Sequence, residues 1–196
     1  MTVVLDYGIN NLRSVEKAIQ YLGHECSVQT DLSNATKLII PGVGAFRRAM
    51  DQLAPIRDKL IRFAADGNPI LGICLGQQLL FDSSEEFGET AGLGLIPGKV
   101  KLLPSDKGLK VPHMGWSKVS FRPESPLATE LRREDRMFFV HSLYTDCDDA
   151  TDVEAWCDYG VRFPAAVRHK NIFGVQFHPE KSGQVGLQLL RNFLLC

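Results

Sequence analysis

The apolar positions in the first half of the chain recur in two alternating patterns. Val3-Val4-Leu5 is a short unbroken apolar run that ends in the turn signal Asp6-Tyr7-Gly8. Leu12, Val15, Ile19 and Leu22 follow at helical spacing, with Gly23 placed to stop the helix. A second strand is predicted near 26–28 and a third over Leu38-Ile39-Ile40, which runs into Pro41-Gly42-Val43-Gly44. Helical spacing resumes over 45–65 and is predicted to break near Pro55. Asp66-Gly67-Asn68-Pro69 then turns the chain into Ile70-Leu71-Gly72-Ile73. Strands that are apolar at every position are strands buried on both faces. The pattern therefore predicts an α/β fold, with a mostly parallel central sheet and helices on both sides.

The second half has a different texture. Strand-like pieces near 100–103, 118–121, 137–140, 165–167 and 173–176 are separated by polar turns instead of long helices. A last amphipathic helix is predicted over 183–195. No internal repeat, low-complexity tract or linker interrupts the chain. One domain spanning residues 1–196 is expected, with the later strands added to the sheet and flanking it; this length suits a single full core.

Composition narrows the function classes. With 44% hydrophobic and 23% charged residues and a formal net charge of −1, the chain lacks the basic excess of a nucleic-acid binder. No apolar run approaches the roughly 18 residues of a membrane span. The opening Met-Thr-Val-Val-Leu-Asp has neither the basic head nor the apolar stretch of a secretory signal. A cytoplasmic protein that binds neither nucleic acid nor membrane is expected. The five cysteines, Cys26, Cys74, Cys147, Cys157 and Cys196, are odd in number and form no Cys-x-x-Cys pair. Neither a disulfide framework nor a metal site is indicated, and no cofactor is expected.

Cys74 stands apart through its neighbours. Gly72-Ile73-Cys74-Leu75-Gly76 has the form of a nucleophile elbow with cysteine in place of serine. A nucleophile on a sharp strand-to-helix turn occupies strained backbone, and only a small residue fits two positions away. An apolar strand enters this turn, and a helix predicted over 75–81 leaves it. Its N-terminus would favour the thiolate. The plain alternative is a buried cysteine in a glycine-rich strand end.

A thiol nucleophile needs a base, and the base needs a group to orient its ring. Phe177-His178-Pro179-Glu180 offers both. In extended backbone, side chains two apart point the same way, so His178 and Glu180 are expected to project together from one strand end. Taken singly, His178 would be a loop histidine and Glu180 a cap of the last helix. With the elbow in the same chain, the joint catalytic reading is favoured.

These three segments together give the chain its resemblance, from end to end, to class I (triad) glutamine amidotransferases. Pro41-Gly42-Val43-Gly44 resembles that family's oxyanion loop, Gly-Ile-Cys-Leu-Gly its elbow, and Val175-Gln176-Phe177-His178-Pro179-Glu180 its His/Glu strand end. Within the class, the chain is most similar to the glutaminase subunits of the histidine-biosynthesis amidotransferase. Asp6-Tyr7-Gly8 with Asn11, Pro112-His113-Met114-Gly115-Trp116 and Phe139-Val140-His141-Ser142 carry that narrower match.

The resemblance implies a glutaminase whose substrate is L-glutamine and whose triad is Cys74, His178 and Glu180. It implies oxyanion donors at Leu75 and in Gly42, Val43 and Gly44. Substrate contacts are implied at Gln78 and Glu86 and along the backbone of His141, Ser142 and Leu143. The partner is implied to be a cyclase subunit with a (β/α)8 barrel, met in a heterodimer by Tyr7, Asn11, Trp116, Ser117 and Lys181.

The match has departures. Ser117 stands where asparagine is usual, Gln77 where methionine is common, Leu143 in place of tyrosine, and Asn10 in place of glycine or alanine. They leave open a glutaminase that feeds a different synthase, which the neighbouring gene would discriminate. A non-catalytic scaffold on the same fold is the alternative from another class, and would be expected to lack a triad member. A metal site from Cys74, His113, His141 and His178 has no supporting sequence spacing.

Overall fold

In the computed structural model, which describes residues 1–9, 11–105, 108–132 and 135–196, strand and helix alternate over the first half as the apolar pattern predicts. Asn10 lies outside the described residues. Thr2–Leu5 (β1), Cys26–Gln29 (β2), Lys37–Gly42 (β3) and Ile70–Cys74 (β4) are strands; Leu12–Tyr21 (α1), Phe46–Leu53 (α2) and Arg57–Ala65 (α3) are helices. Pro55 falls in a 3-10 turn, Ala54–Ile56, that separates α2 from α3, because its ring cannot continue the helical ladder.

The helix that leaves the elbow is shorter than the sequence predicts. It spans Leu75–Leu79 (α4), and Phe81 opens a strand, Phe81–Ser84 (β5), in which it is fully buried. Nine more strands follow: Thr90–Ala91 (β6), Ile96–Leu102 (β7), His113–Lys118 (β8), Ser120–Phe121 (β9), Arg136–His141 (β10), Leu143–Cys147 (β11), Val153–Tyr159 (β12), Val161–His169 (β13) and Ile172–Val175 (β14). Gly183–Leu195 (α5) closes the chain, as predicted.

The large sheet has the order β2-β1-β3-β4-β14-β13-β12-β9. Its first five strands run parallel, and β13, β12 and β9 extend it antiparallel. Alternate residues of the parallel strands serve two cores. Val3, Leu5, Leu38 and Ile40 meet Phe46, Leu53 and Leu60 of α2 and α3 on one face. On the other, Val4, Ile39, Leu71 and Ile73 share a core with Val15 and Ile19 of α1 and with Leu189 and Phe193 of α5. Both faces are thus covered by helices. A four-stranded sheet, β11-β7-β5-β6, adds Phe81, Ile96, Val100 and Leu143 to the first core. The ribbon β10-β8 turns Met137 and Phe139 into the second.

Because β1, β3, β4 and β14 run in the same direction, the segments after them gather along one edge of the sheet. Residues 6–9 and 11, 43–44, 74 and 176–180 all lie there by chain order. Among the described residues, no helix is long and apolar enough to cross a membrane.

The elbow is held by close backbone approach. A Cβ on Gly72 would stand 2.5 Å from the Gly76 carbonyl oxygen, and one on Gly76 only 1.8 Å from that of Ile40. Gly76→Ala is therefore expected to lower stability by about 1–3 kcal/mol or more through overpacking, read as a reduced urea midpoint. An unchanged midpoint would mean that β3 and α4 separate freely.

Candidate active site

Cys74 joins β4 to α4 with φ 55° and ψ −112°, a positive φ that a non-glycine residue adopts only under strain. The residue is 6% exposed. Its thiol sits 3.9 Å from the Val140 carbonyl oxygen and 3.7 Å from Nε2 of Gln176. Since α4 spans only Leu75–Leu79, it offers the thiol little of the helix-end field expected from the sequence.

His178 and Glu180 meet, but not by strand alternation. β14 ends at Val175, and His178 continues in extended backbone, its N–H donating to the Phe138 carbonyl at 2.9 Å. Pro179–Lys181 then forms a 3-10 turn that folds Glu180 back beneath the ring. Nδ1 of His178 lies 2.8 Å from Oε1 of Glu180, with both side chains at most 1% exposed. Ser182 locks the turn: its hydroxyl donates to the His178 carbonyl at 2.7 Å and accepts the Phe138 N–H at 2.9 Å.

A second donor reaches the carboxylate. Asn11 Nδ2 donates to the same Oε1 at 2.7 Å, from a left-handed residue (φ 83°) at the start of α1. Asn11, expected on the partner rim, turns its side chain to Glu180. With Nδ1 facing a carboxylate, the second proton of the imidazole belongs on Nε2, which has no hydrogen-bond partner among the described residues. The Cys74 thiol bears on the ring through the raised pKa of His178.

Charge follows from these contacts. Burial alone would lower the His178 pKa, but the Cys74 thiol and the Glu180 carboxylate outweigh it and push it up to about 9. For Glu180, burial raises the pKa, and the His178 and Asn11 hydrogen bonds with the His178 charge more than reverse that, leaving it below the usual carboxylate value. A buried imidazolium beside a carboxylate is the state that His178 and Glu180 favour.

A cavity of about 300 Å3 opens onto Cys74. Of the oxyanion and substrate residues expected from the sequence, all but Gly42 line it. Gly42 pairs with Cys74 at the end of β3, packed between the Tyr7 hydroxyl and Leu75. Glu86 turns Oε2 to the Phe46 N–H at 2.6 Å and so caps α2. Gln78 gives Nε2 to the Leu143 carbonyl at 3.2 Å and to Gln176 Oε1 at 3.0 Å. Among the described residues, no group of three or more His, Cys, Asp or Glu side chains could hold a metal ion.

The other expected rim residues divide. Trp116 is 50% exposed on β8, edge-on to Phe138 with ring centroids 5.9 Å apart, and Met114 beside it is 65% exposed. Lys181 is exposed next to Glu180. Tyr7 is only 6% exposed, its hydroxyl donating to the Pro41 carbonyl at 2.8 Å, and burial drives its pKa upward. Ser117 turns inward: its Oγ lies 2.8 Å from Nε2 of His113.

Sequence reasoning gave no role to His113 or Gln176, both buried beside the site. A signal for Gln176 was present. It is the one polar side chain in the otherwise apolar run Ile172–Phe177, and a buried amide demands partners. His113 lies between Phe139 and Tyr159, ring centroids 4.8 and 3.9 Å away, with Nδ1 2.9 Å from Nε2 of His141. Burial holds both imidazoles neutral, pushing His113 down to about 4 and His141 to about 3.

A strained cysteine at the end of one parallel strand, facing a histidine–carboxylate pair at the end of the next, defines a class of protein. The family model described as class-I glutamine amidotransferase matches residues 3–196, and the chain belongs to that family. A structure described as a glutamine amidotransferase shares the fold at TM-score 0.77 and 19% identity, covering 98% of this chain and 97% of the other. A structure of PurLQS from Thermotoga maritima does so at 0.78 and 22%, covering 99% and 97%.

In sequence, the chain is 47% identical over 203 residues to imidazole glycerol phosphate synthase subunit HisH of Syntrophotalea carbinolica, covering 98% of each. It is 45% identical over 197 residues to the protein of the same name from Methanosarcina barkeri, covering 98% and 96%. Within the class, then, the chain stands in the HisH subunit family.

The contacts of His178 predict a pH effect. Its pKa is raised above the ordinary 6.5, so its stabilising charge is fully present below that value and is lost as pH rises through about 9. The imidazole resonances of His178 should titrate near 9 in the native protein and distinctly lower in Cys74→Ala, where burial is opposed by Glu180 alone. An unmoved midpoint in the variant would separate His178 from the thiol.

Proposed function

We propose that this chain, as one glutaminase domain over residues 1–196, hydrolyses glutamine to glutamate and ammonia through a Cys74 thioester. The ammonia then passes to a cyclase subunit with a (β/α)8 barrel, which makes imidazole glycerol phosphate and AICAR in cytoplasmic histidine biosynthesis. The observation that carries this reading is a strained Cys74 that opens onto a cavity of about 300 Å3 while its thiol acts on the buried His178–Glu180 pair. That is the small end of the range for ligand sites, roughly 300–1,000 Å3, and suits a single amino acid.

The chemistry follows from the contacts. With Nδ1–H fixed on Glu180, His178 presents Nε2 to the thiol and holds its proton. Sγ attacks the carboxamide carbon, and the carbonyl oxygen becomes an oxyanion. Leu75 opens α4, so its N–H has no partner within the helix; it and the N–H groups of Val43 and Gly44, which line the cavity, are the donors for that charge. His178 returns its proton to the leaving nitrogen, and ammonia departs. Water attacks the thioester as Nε2 takes one of its protons; the thiolate is expelled and glutamate forms.

Gln78 has both amide hydrogens committed inside the protein, so its carbonyl oxygen is the group left to accept an N–H from the substrate. Glu86 and the backbone of His141, Ser142 and Leu143 bound the amino-acid end.

Trp116 and Met114 form an apolar surface on the outer face of the β8–β10 ribbon, whose other face lines the second core. A half-exposed tryptophan on a rigid ribbon beside the site suits the central anchor of an interface. Lys181 adds a cation to the same rim. The names of the relatives as synthase subunits support a partner subunit.

Cys74→Ala in the purified pair should abolish glutamine-dependent synthesis and leave synthesis from ammonium salts intact. Glutamine-dependent turnover in that variant would overturn the nucleophile assignment. His178→Ala should lose nearly as much as Cys74→Ala, and Glu180→Gln less, since the amide impairs orientation without removing thiol or base; equal and negligible losses would reduce the turn to a structural cap. For the partner, Trp116→Ala should weaken subunit association in a titration while circular dichroism stays unchanged. Undiminished affinity with undiminished coupling of the two activities would remove Trp116 from the interface.

A further inference from the structure

We propose that Gln176 is a positioning residue for the glutaminase reaction, donating an N–H to the Cys74 thiolate through an amide whose direction Gln78 dictates. The inference rests on Cys74 being the nucleophile and goes beyond the triad. β14 and β4 are parallel neighbours with Val175 beside Ile73, so Gln176, the first residue past the end of β14, comes beside Cys74. Gln176 Nε2 lies 3.7 Å from Sγ.

The orientation of this amide is forced by its partners. The Leu143 carbonyl oxygen can only accept, and it receives His141 Nδ1 at 2.7 Å and Gln78 Nε2 at 3.2 Å. Gln78 therefore presents its NH2 end there, and the other hydrogen of that group falls on Gln176 Oε1 at 3.0 Å. With its oxygen so occupied, Gln176 has only its NH2 end to face sulfur. Flipping it would set NH2 against NH2 and oxygen against the thiolate. Gln176 is 0% and Gln78 3% exposed, so no solvent compensates.

The far end of the chain is equally directed. His141 donates from Nδ1, so its Nε2 accepts from His113 Nδ1 at 2.9 Å, and His113 Nε2 accepts from the Ser117 hydroxyl at 2.8 Å. Polarity runs one way from Ser117 to the Leu143 carbonyl.

A donor fixed on the sulfur discriminates between protonation states. As a thiol, Cys74 can give its own hydrogen to the Val140 carbonyl at 3.9 Å and gains little from Gln176. As a thiolate it has nothing to donate and needs an N–H. Gln176 therefore favours the charged form before attack, and again when the thioester expels sulfur. A hydrogen bond to a charged group is worth about tenfold or more in such an equilibrium.

Gln176→Leu keeps the size and removes the donor. In the full chain, the pH midpoint for alkylation of Cys74 by iodoacetamide, followed at its own peptide by mass spectrometry, should rise by about one unit. The kcat for glutamine should fall about tenfold with KM little changed. Gln77→Met is the control: Gln77 is buried next door but bonds Thr145 at 2.8 Å, outside the chain, and its midpoint should match the native one.

An unmoved midpoint in a folded Gln176→Leu would overturn the proposal, even with reduced turnover. If that variant does not fold, the native protein still decides. The side-chain 15N resonance of Gln176 should move with the Cys74 midpoint and lose that movement in Cys74→Ala. A resonance indifferent to Cys74 would overturn the proposal. Failure of the underlying nucleophile assignment looks different, as glutamine hydrolysis that survives in Cys74→Ala.

Discussion

Everything in this site hangs from the turn at Cys74. Its positive φ aims the thiol across the sheet edge and would not persist in an isolated peptide. The turn is over-determined by what surrounds it. β4 lies between β3 and β14 in a parallel sheet, and α4 leaves so steeply that Gly76 packs on the Ile40 carbonyl and Gly72 on Gly76. The same geometry sets Gln176 beside the sulfur and begins the path of the chain toward His178. Placing Cys74 and placing His178 are one problem, solved by the β4–β14 pairing.

The second constraint is the burial of charge. An imidazole as deeply buried as that of His178 would shed its proton if burial acted alone, yet its pKa is pushed up to about 9. A carboxylate on one side and a thiol on the other reverse the effect of desolvation. Glu180 is in turn kept ionised by His178 and Asn11. Behind this charged row, the neutral imidazoles of His113 and His141 and the amides of Gln78 and Gln176 form a directed polar layer. No member of that layer carries charge, so it adds little desolvation cost while fixing the direction of each hydrogen bond.

Ser117 shows why surface position and function separate. It sits one residue from Trp116, the exposed ring of the β8–β10 ribbon, but its hydroxyl serves His113 inside the protein. A ribbon with alternating faces puts an outward-facing residue and an inward-facing residue next to each other in sequence. The departure at Ser117 therefore bears on the internal layer as directly as on any partner. Lys181 and Glu180 divide in the same way across the 3-10 turn.

The sequence by itself determined the parallel half of the sheet, because a strand buried on both faces is apolar at every position, and it determined the elbow, because only glycine tolerates the approach two residues either side of Cys74. It also marked His178 and Glu180 as partners. Their meeting was expected from strand alternation, whereas a 3-10 turn and the Ser182 lock produce it. Strands β5 and β12 were not legible. Phe81 continues the helical spacing of its neighbours, and Glu154 interrupts an apolar run and is buried only because Arg122 pairs with it.

Tertiary structure alone decided which partners Asn11, Tyr7, Gln176 and His113 meet. Periodicity reports which side of an element is buried, but a hydrogen bond between residues as far apart as Asn11 and Glu180, or Gln176 and Cys74, depends on which strands become neighbours. That is settled only when the whole sheet has assembled.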